Sequence, residues 1–310
     1  AEGTFQRVAT VTRPAEAVAQ VTDGKAASAW IIPRGYEQAL ARGTGAAVQV
    51  LIDGTDTNRA QVASAAAQQM ALFRSVEIST QSLASSSALA QRQASTAQIS
   101  PVARVLYNPN LRSATYMVPG LAATVVLIVT TIVTAMGIAR EKEMGTMEQL
   151  LVTPLRPWIL LVGKCLPFAA VGLLDVAGVI AIGAWLFDVP LRGSLLVVFV
   201  GAAFYVLSTL GMGVFISTVS SSQQQAILGG FLFLLPAILL SGFMTPIDNM
   251  PQPIQWLTYA NPVRYFIEVM RSVLLKGAGF AELGFQLVAL ASFGVLILAL
   301  SAFRFKKQLD

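Results

Sequence analysis

The residues able to do chemistry are few, and their spacing narrows what the chain can do. Asp175 lies inside an apolar run, about 11 residues beyond Lys164 and therefore roughly 16 Å further along a helix. An acid at that depth meets a cationic substrate, takes a proton, or bonds to a neighbouring helix, and these readings stand open. Asp53–Asn58, "DGTDTN", supplies oxygen ligands in the manner of a calcium loop but has no following glutamate at the right distance. A turn leading into a helix N-cap is the better reading. Cys165 is the only cysteine, so no internal disulfide forms; within its apolar run it reads as a small apolar residue. No histidine is present, which removes imidazole bases, His-based triads and His-ligated metals. With no paired carboxylates and no nucleophile beside a base, an intramembrane enzyme is the weakest class. No metal site is expected.

The elements that carry these residues are membrane helices. Of the 310 residues, 55% are hydrophobic and 12% charged, with a mean hydropathy of +0.66. Five runs reach the roughly 20 apolar residues a spanning helix needs: Tyr116–Ala139, Trp158–Phe187, Gly193–Val219, Ala226–Phe243 and Leu283–Phe303. A kink is expected at Pro236. The net charge of +5 comes from scattered Lys and Arg with no basic patch suited to nucleic acid, so no nucleic-acid partner is expected. Arg140, Lys142, Arg156 and Lys164 flank the first connection, and Arg304, Lys306 and Lys307 follow the last run. The positive-inside rule makes that side the cytoplasm, with the C-terminus there. The N-terminal region must then lie outside, yet it begins with nothing to carry it across. The expectation is a further helix upstream and six spans in the intact protein.

The fold class expected is a polytopic α-helical membrane protein, with five visible transmembrane helices plus an extracytoplasmic α/β domain. Residues 1–113 form that domain and 114–310 the transmembrane domain. In the first, strand-like "TFQRVATV", "ASAWIIP", "AVQVLID" and "VARVLYNP" alternate with helices near Pro14–Val21, Tyr36–Arg42 and from Arg59 onward. The low-complexity tract Ser82–Gln98 reads as a stalk.

Between the first two apolar runs the chain turns a corner. Gly145 suits the left-handed position that ends a helix. Thr146 and Gln149 have capping-box spacing, and Thr153-Pro154 stops the new helix. A short helix within 146–153 results, with Met147, Leu150 and Leu151 on one side and Glu148 at its border. Glu141, Glu143 and Glu148 make this corner acidic, unlike a helix that lies on anionic lipid, so a protein partner fits better. Residues 246–276 are too polar and proline-broken to span and should form one or two short re-entrant helices. There Arg264 and Arg271 lie four before and three after Glu268, a spacing that allows local pairing.

In order along the chain, "NPNLRSATYMVPGL", "IAREKEMGTMEQLLVTPL", "GMGVFISTVSSSQQQA", "LSGFMTPIDNMP" and "NPVRYFIEVMRSVLLKG" resemble the membrane subunit of ABC type-2 exporters, bacterial multidrug-like permeases with a large periplasmic domain. The resemblance runs from about Trp30 to the C-terminus. It implies a bacterial inner-membrane location, with the first span and the domain's first strand missing here. It also implies a cognate ATPase subunit, a homodimer or a closely related second permease, a surrounding of membrane lipids, and in some systems a periplasmic adaptor and outer-membrane channel. The chain has no Gly-x-x-x-x-Gly-Lys-Ser/Thr loop, so ATP and Mg belong to the partner and no cofactor is expected on this chain.

By the same resemblance the corner helix is the coupling helix. Gly145, Thr146, Met147, Glu148, Leu150, Leu151 and Pro154 would form the ATPase-coupling element, with Glu141 and Glu143 reaching basic residues of the partner. Thr124, Thr131, Thr134, Phe231, Phe233 and Leu234 would line the pathway together with Asp175; the threonines share one helix face, though bonds to their own backbone are equally open. Asn261, Pro262, Arg264, Glu268 and Arg271 would belong to the gate at the outer mouth. The implied cargo is hydrophobic or amphipathic: a drug, a lipid or a small organic cation. The alternative is a non-transporting membrane scaffold or receptor whose periplasmic domain binds a partner.

Overall fold

The computed structural model describes residues 7–42, 45–83, 99–145 and 157–307. The chain divides into two units, Ala1–Ser113 and Ala114–Asp310.

The first unit begins with α1 (Pro14–Thr22), a helix with proline at its start, where a missing N–H costs nothing. It continues with β1 (Ser28–Ile31), α2 (Tyr36–Ala41), β2 (Ala46–Asp53), α3 (Thr57–Leu83) and β3 (Ile99–Leu106). The strands form one sheet in the order β1-β2-β3. Strand β1 runs antiparallel to β2, with Ala29 opposite Leu51, and β3 runs parallel to it, with Ala103 opposite Val50. Parallel neighbours need a long crossover, and α3 lies in that connection. Val50 and Ile52 of β2 pack on Ala60 and Ala67 of α3, with Trp30 alongside. The Asp53–Asn58 stretch builds the turn and cap expected of it. Thr55 donates to Asp53 Oδ1 through its amide (3.0 Å) and hydroxyl (2.7 Å), and Asp56 accepts from the amides of Asn58 and Arg59.

The strand expected over Thr4–Val11 does not form across its described part. Residues 7–12 lie in no strand, and Val8 and Val11 are exposed. Alternation alone does not hold a strand; it needs a neighbour and a face to bury. The Ser82–Gln98 tract lies almost wholly outside the described residues.

The second unit carries α4 (Ser113–Glu143), α5 (Pro157–Phe187), α6 (Leu195–Val219) and α7 (Gln223–Leu239), then a 3₁₀ turn (Ile247–Asn249), α8 (Gln252–Thr258), α9 (Pro262–Arg271), a π turn (Ser272–Lys276) and α10 (Gly284–Lys307). Among the described residues, four helices are long and apolar enough to cross a membrane: Ser113–Glu143, Val162–Phe187, Leu195–Val219 and Gly284–Arg304. The fifth expected span, Ala226–Phe243, falls on a shorter helix with other bounds. Helix α7 has 17 residues, about 26 Å at 1.5 Å each, and stops at Leu239. Ser222 starts it by accepting from the Gln225 amide, and it continues through Pro236. It ends where the Ser241 hydroxyl donates to the Ile238 carbonyl (2.6 Å) and Gly242 turns left-handed.

Helix α6 is the centre of the second unit. Its Gly213 brings α4 so close that an added Cβ would sit 2.8 Å from the Thr131 carbonyl oxygen. Tyr205 is fully buried, stacks on Phe266 of α9 (4.4 Å between centroids, 12°) and donates to the Ala123 carbonyl of α4 (2.9 Å). Ser301 of α10 donates to the Gly211 carbonyl (2.8 Å), and Ser208 to Leu290 (3.3 Å). Small residues and hydroxyls of this kind let membrane helices approach without a hydrophobic driving force between them.

Candidate functional site

Helix α4 ends in a run of charges. Met144 donates its amide to the Arg140 carbonyl (2.9 Å), and Gly145 follows with φ +71°, the left-handed residue the sequence anticipates. Thr146, Met147, Glu148, Leu150, Leu151 and Pro154, and with them the coupling helix 146–153, lie outside the described residues.

The charges just before them are engaged within the chain. Glu141 pairs with Lys164 of α5. Lys142 Nζ donates to the Ser220 carbonyl at the end of α6 (3.1 Å). Glu143 Oε2 accepts from the amide (3.1 Å) and side chain (3.3 Å) of Gln223, the first residue of α7. Glu141 and Glu143, expected to reach a partner, are engaged within the chain here. The end of α4 brings their carboxylates to donors on α5 and α7. A collar thus binds the end of α4 to α5, α6 and α7 beside the corner. Sequence reasoning missed Lys142, Ser220 and Gln223, because nothing local shows that the α6–α7 turn lies against α4.

The expected pathway residues do not share one surface. Thr124 donates to its own-helix Gly120 carbonyl (2.9 Å). Thr131 is buried and donates to the Thr209 carbonyl of α6 (3.3 Å), while neighbouring Thr130 bonds the Thr209 hydroxyl (2.7 Å). Thr134 is buried beside Gly213, its hydroxyl without a partner among the described residues. Thr131 and Thr134 therefore fill the α4–α6 contact. Leu234 is 2% exposed and Phe233 packs against Ala135, Ala139, Ile216 and Ala226, so of the three α7 residues expected in the pathway only Phe231 stands exposed. Asp175 is partly buried on α5, and its Oδ2 is buried with no hydrogen-bond partner among the described residues.

Residues 246–276 form the short helices expected. Asn261 caps α9 by accepting from the Val263 amide (3.1 Å), with Pro262 at the first helical position. Its side-chain amide donates to the Ala237 carbonyl of α7 (2.7 Å), one of the orphan acceptors at that helix's end. Arg264 does not pair with Glu268 among the described residues. Arg264 lies over the Tyr259 ring (4.2 Å) and donates to Thr258, while Arg271 lies over the Tyr116 ring of α4 (3.9 Å). Glu268 accepts from Gln286 of α10 (3.0 Å). Aromatic faces at hand compete with an i,i+4 pair worth only a few tenths of a kcal/mol. Burial raises the Tyr265 hydroxyl above its ordinary range, with the Arg264 charge opposing, so it stays protonated and donates to the Tyr259 carbonyl (2.9 Å). No group of three or more His, Cys, Asp or Glu placed to hold a metal occurs among the described residues.

A membrane bundle with an anchored charged corner and short capped helices defines the class, and comparison with known proteins names it. Residues 1–303 match the ABC-2 family transporter protein model, and the chain belongs to this family. It is 35% identical over 274 residues to the probable multidrug ABC transporter permease YbhR of Escherichia coli K12, covering 88% of this chain and 72% of that one. It is also 32% identical over 300 residues to the probable multidrug ABC transporter permease YbhS of the same strain, covering 95% and 76%. The inner membrane transport permease YhhJ matches at 30% over 210 residues, 66% of this chain and 55% of YhhJ. The chain is a permease subunit of an ABC transporter, and that membership implies a separate ATPase subunit.

Proposed function

We propose that this chain is the membrane path of an ATP-driven exporter, that two permeases pair around it, and that force from the ATPase enters at the corner after Gly145. Its place is the bacterial inner membrane. The first unit lies in the periplasm, the C-terminus in the cytoplasm, and α7 completes a fifth crossing. The observation that carries this reading is the family match along residues 1–303 combined with the collar. A docking helix transmits motion only if the residue next to it is fixed to the rest of the bundle. With Glu141 and Glu143 occupied inside the chain, docking falls to Met147, Glu148, Leu150 and Leu151.

The cargo is hydrophobic or amphipathic, in keeping with the multidrug designation of the relatives YbhR and YbhS. On α4 the exposed face runs through Met117, Leu121, Val125 and Ile128, with Thr124 at its edge. On α7 it runs through Phe231 and Leu235. Such faces suit apolar molecules and give no path for a highly charged polymer. Asn261, Pro262, Arg264, Glu268 and Arg271 hold the short helices at the outer mouth, and an adaptor and outer-membrane channel are further partners. The test is co-expression with the cognate ATPase. Glu148→Arg combined with Leu151→Asp should abolish copurification and coupled ATP hydrolysis; a complex that survives both changes removes the docking assignment.

A further inference from the structure

Helix α3 wears its bulky residues on the wrong side. The face against the sheet is built of Ala60, Ala67 and Ala71, all buried, and of Ser75, whose hydroxyl accepts from the Ile99 amide (2.9 Å). The opposite face carries Val62 (67% exposed), Leu72 (60%), Phe73 (67%) and Val76 (60%). A helix on a finished surface turns such residues inward. Val62, Ala65, Gln69, Leu72 and Val76 follow one another at intervals of three and four, the spacing of a coiled-coil seam, so the shape that fits is another α-helix. The chain's own residues 84–98 contain one large apolar side chain, Leu89, too little to cover four.

We propose that this seam pairs antiparallel with the same seam of a second copy, about a twofold axis at Gln69. That axis sets Val62 opposite Val76 and small Ala65 opposite Phe73. It also sets one Gln69 amide against the other, and an amide, being donor and acceptor at once, can pair with its own image. Charge selects the direction. Antiparallel pairing brings Arg59 of one helix within about 3 Å along the axis of the level of Glu77 of the other, each adding a contact to the one it already makes on its own helix, Arg59 to Asp56 (3.7 Å) and Glu77 to Arg74 (2.7 Å). Parallel pairing would stack like on like. Two helices of this length bury less than the roughly 1,200 Å² that a free-standing dimer needs. The seam therefore rests on the reading above that two permeases share a transporter, whose membrane helices supply the local concentration.

The test is disulfide cross-linking of Gln69→Cys in membranes containing the complete transporter with its ATPase. Cys165, the only native cysteine, is buried in α5, so the unaltered chain is the blank. Oxidation should link most Gln69→Cys chains into permease dimers and leave Arg74→Cys, exposed but off the seam, unlinked. If Gln69→Cys links no better than Arg74→Cys while the purified transporter has the mass of two permeases, the seam is wrong and the pairing stands. A single permease per transporter overturns both. A Gln69→Cys adduct with a different polypeptide also overturns the proposal, because it assigns the seam to another occupant.

Discussion

If α4 and α6 meet at the level of their backbones, two alanine substitutions of identical chemistry must act in opposite directions. At Gly213 an added Cβ would lie 2.8 Å from the Thr131 carbonyl oxygen and 2.9 Å from Thr134 Cβ, where ordinary contact begins at 3.4 Å. The obstacle is main chain and cannot rotate aside, so α4 must retreat by about 0.6 Å, lengthening the Thr131–Thr209 bond that is already 3.3 Å. Overpacking of this kind costs about 1–3 kcal/mol. The gain in helix propensity from glycine to alanine returns up to about 1 kcal/mol. Gly213→Ala should therefore lose about 1–2 kcal/mol. At Gly178 of α5 nothing lies within 4 Å of the new methyl group, and only the propensity gain remains. The propensity gain is common to both, so the two variants should differ by the overpacking cost, about 1–3 kcal/mol, which at roughly 2–4 °C per kcal/mol separates their melting temperatures by about 2–12 °C. Thermal unfolding of the detergent-purified permease measures this. Equal melting temperatures would refute the close approach on which the Thr130, Thr131 and Thr209 contacts depend.

Asn261→Ala should cost about 2–4 kcal/mol in the same assay, since it removes the α9 cap and leaves the Ala237 carbonyl without its donor. Asn261→Asp, which keeps the cap acceptor but not the donor, should fall between it and the native protein. Lys142→Met removes one charge-assisted bond to α6, worth about 1 kcal/mol at a partly exposed site, so ATP-coupled transport should fall about fivefold while the ATPase still copurifies. Loss of copurification would place Lys142 in the docking surface instead of the collar.

What the sequence makes legible are features carried by single elements. The apolar runs that became α4, α5, α6 and α10 are unmistakable, because length and composition alone decide whether a helix can cross a bilayer. Asp56 was readable as a cap, and Gly145 as a left-handed stop, because capping depends on neighbours within four residues. The end of α7 was not: hydrophobicity continues to Phe243, whereas the local bonding of Ser241 and the turn at Gly242 end the helix at Leu239. Nor was the facing of Thr131 and Thr134. In a helix apolar on every side, rotation about the axis leaves almost no trace in the pattern, and the partner helix decides which hydroxyls are enclosed. The i,i+4 spacing of Arg264 and Glu268 allowed a pair, yet the Tyr259 ring holds the arginine instead.

The collar and the α6 contacts together limit how an applied force can act. If α4 slid along α6 when pushed at Gly145, Thr131 and Thr134 would have to leave Gly213, and the bonds from Tyr205 to Ala123 and from Lys142 to Ser220 would break together. Each costs about 1 kcal/mol or more, and buried groups left unpaired cost more again. Tilting α4, α6 and α7 as one body breaks none of them. If two permeases pair as proposed, the lower-cost motion is rotation of this bundle against the second one, along exposed faces such as Leu121, Val125 and Phe231. On that argument the pathway opens between chains, and a mutation inside the α4–α6 contact harms transport through stability, whereas one on the exposed faces changes which molecules pass.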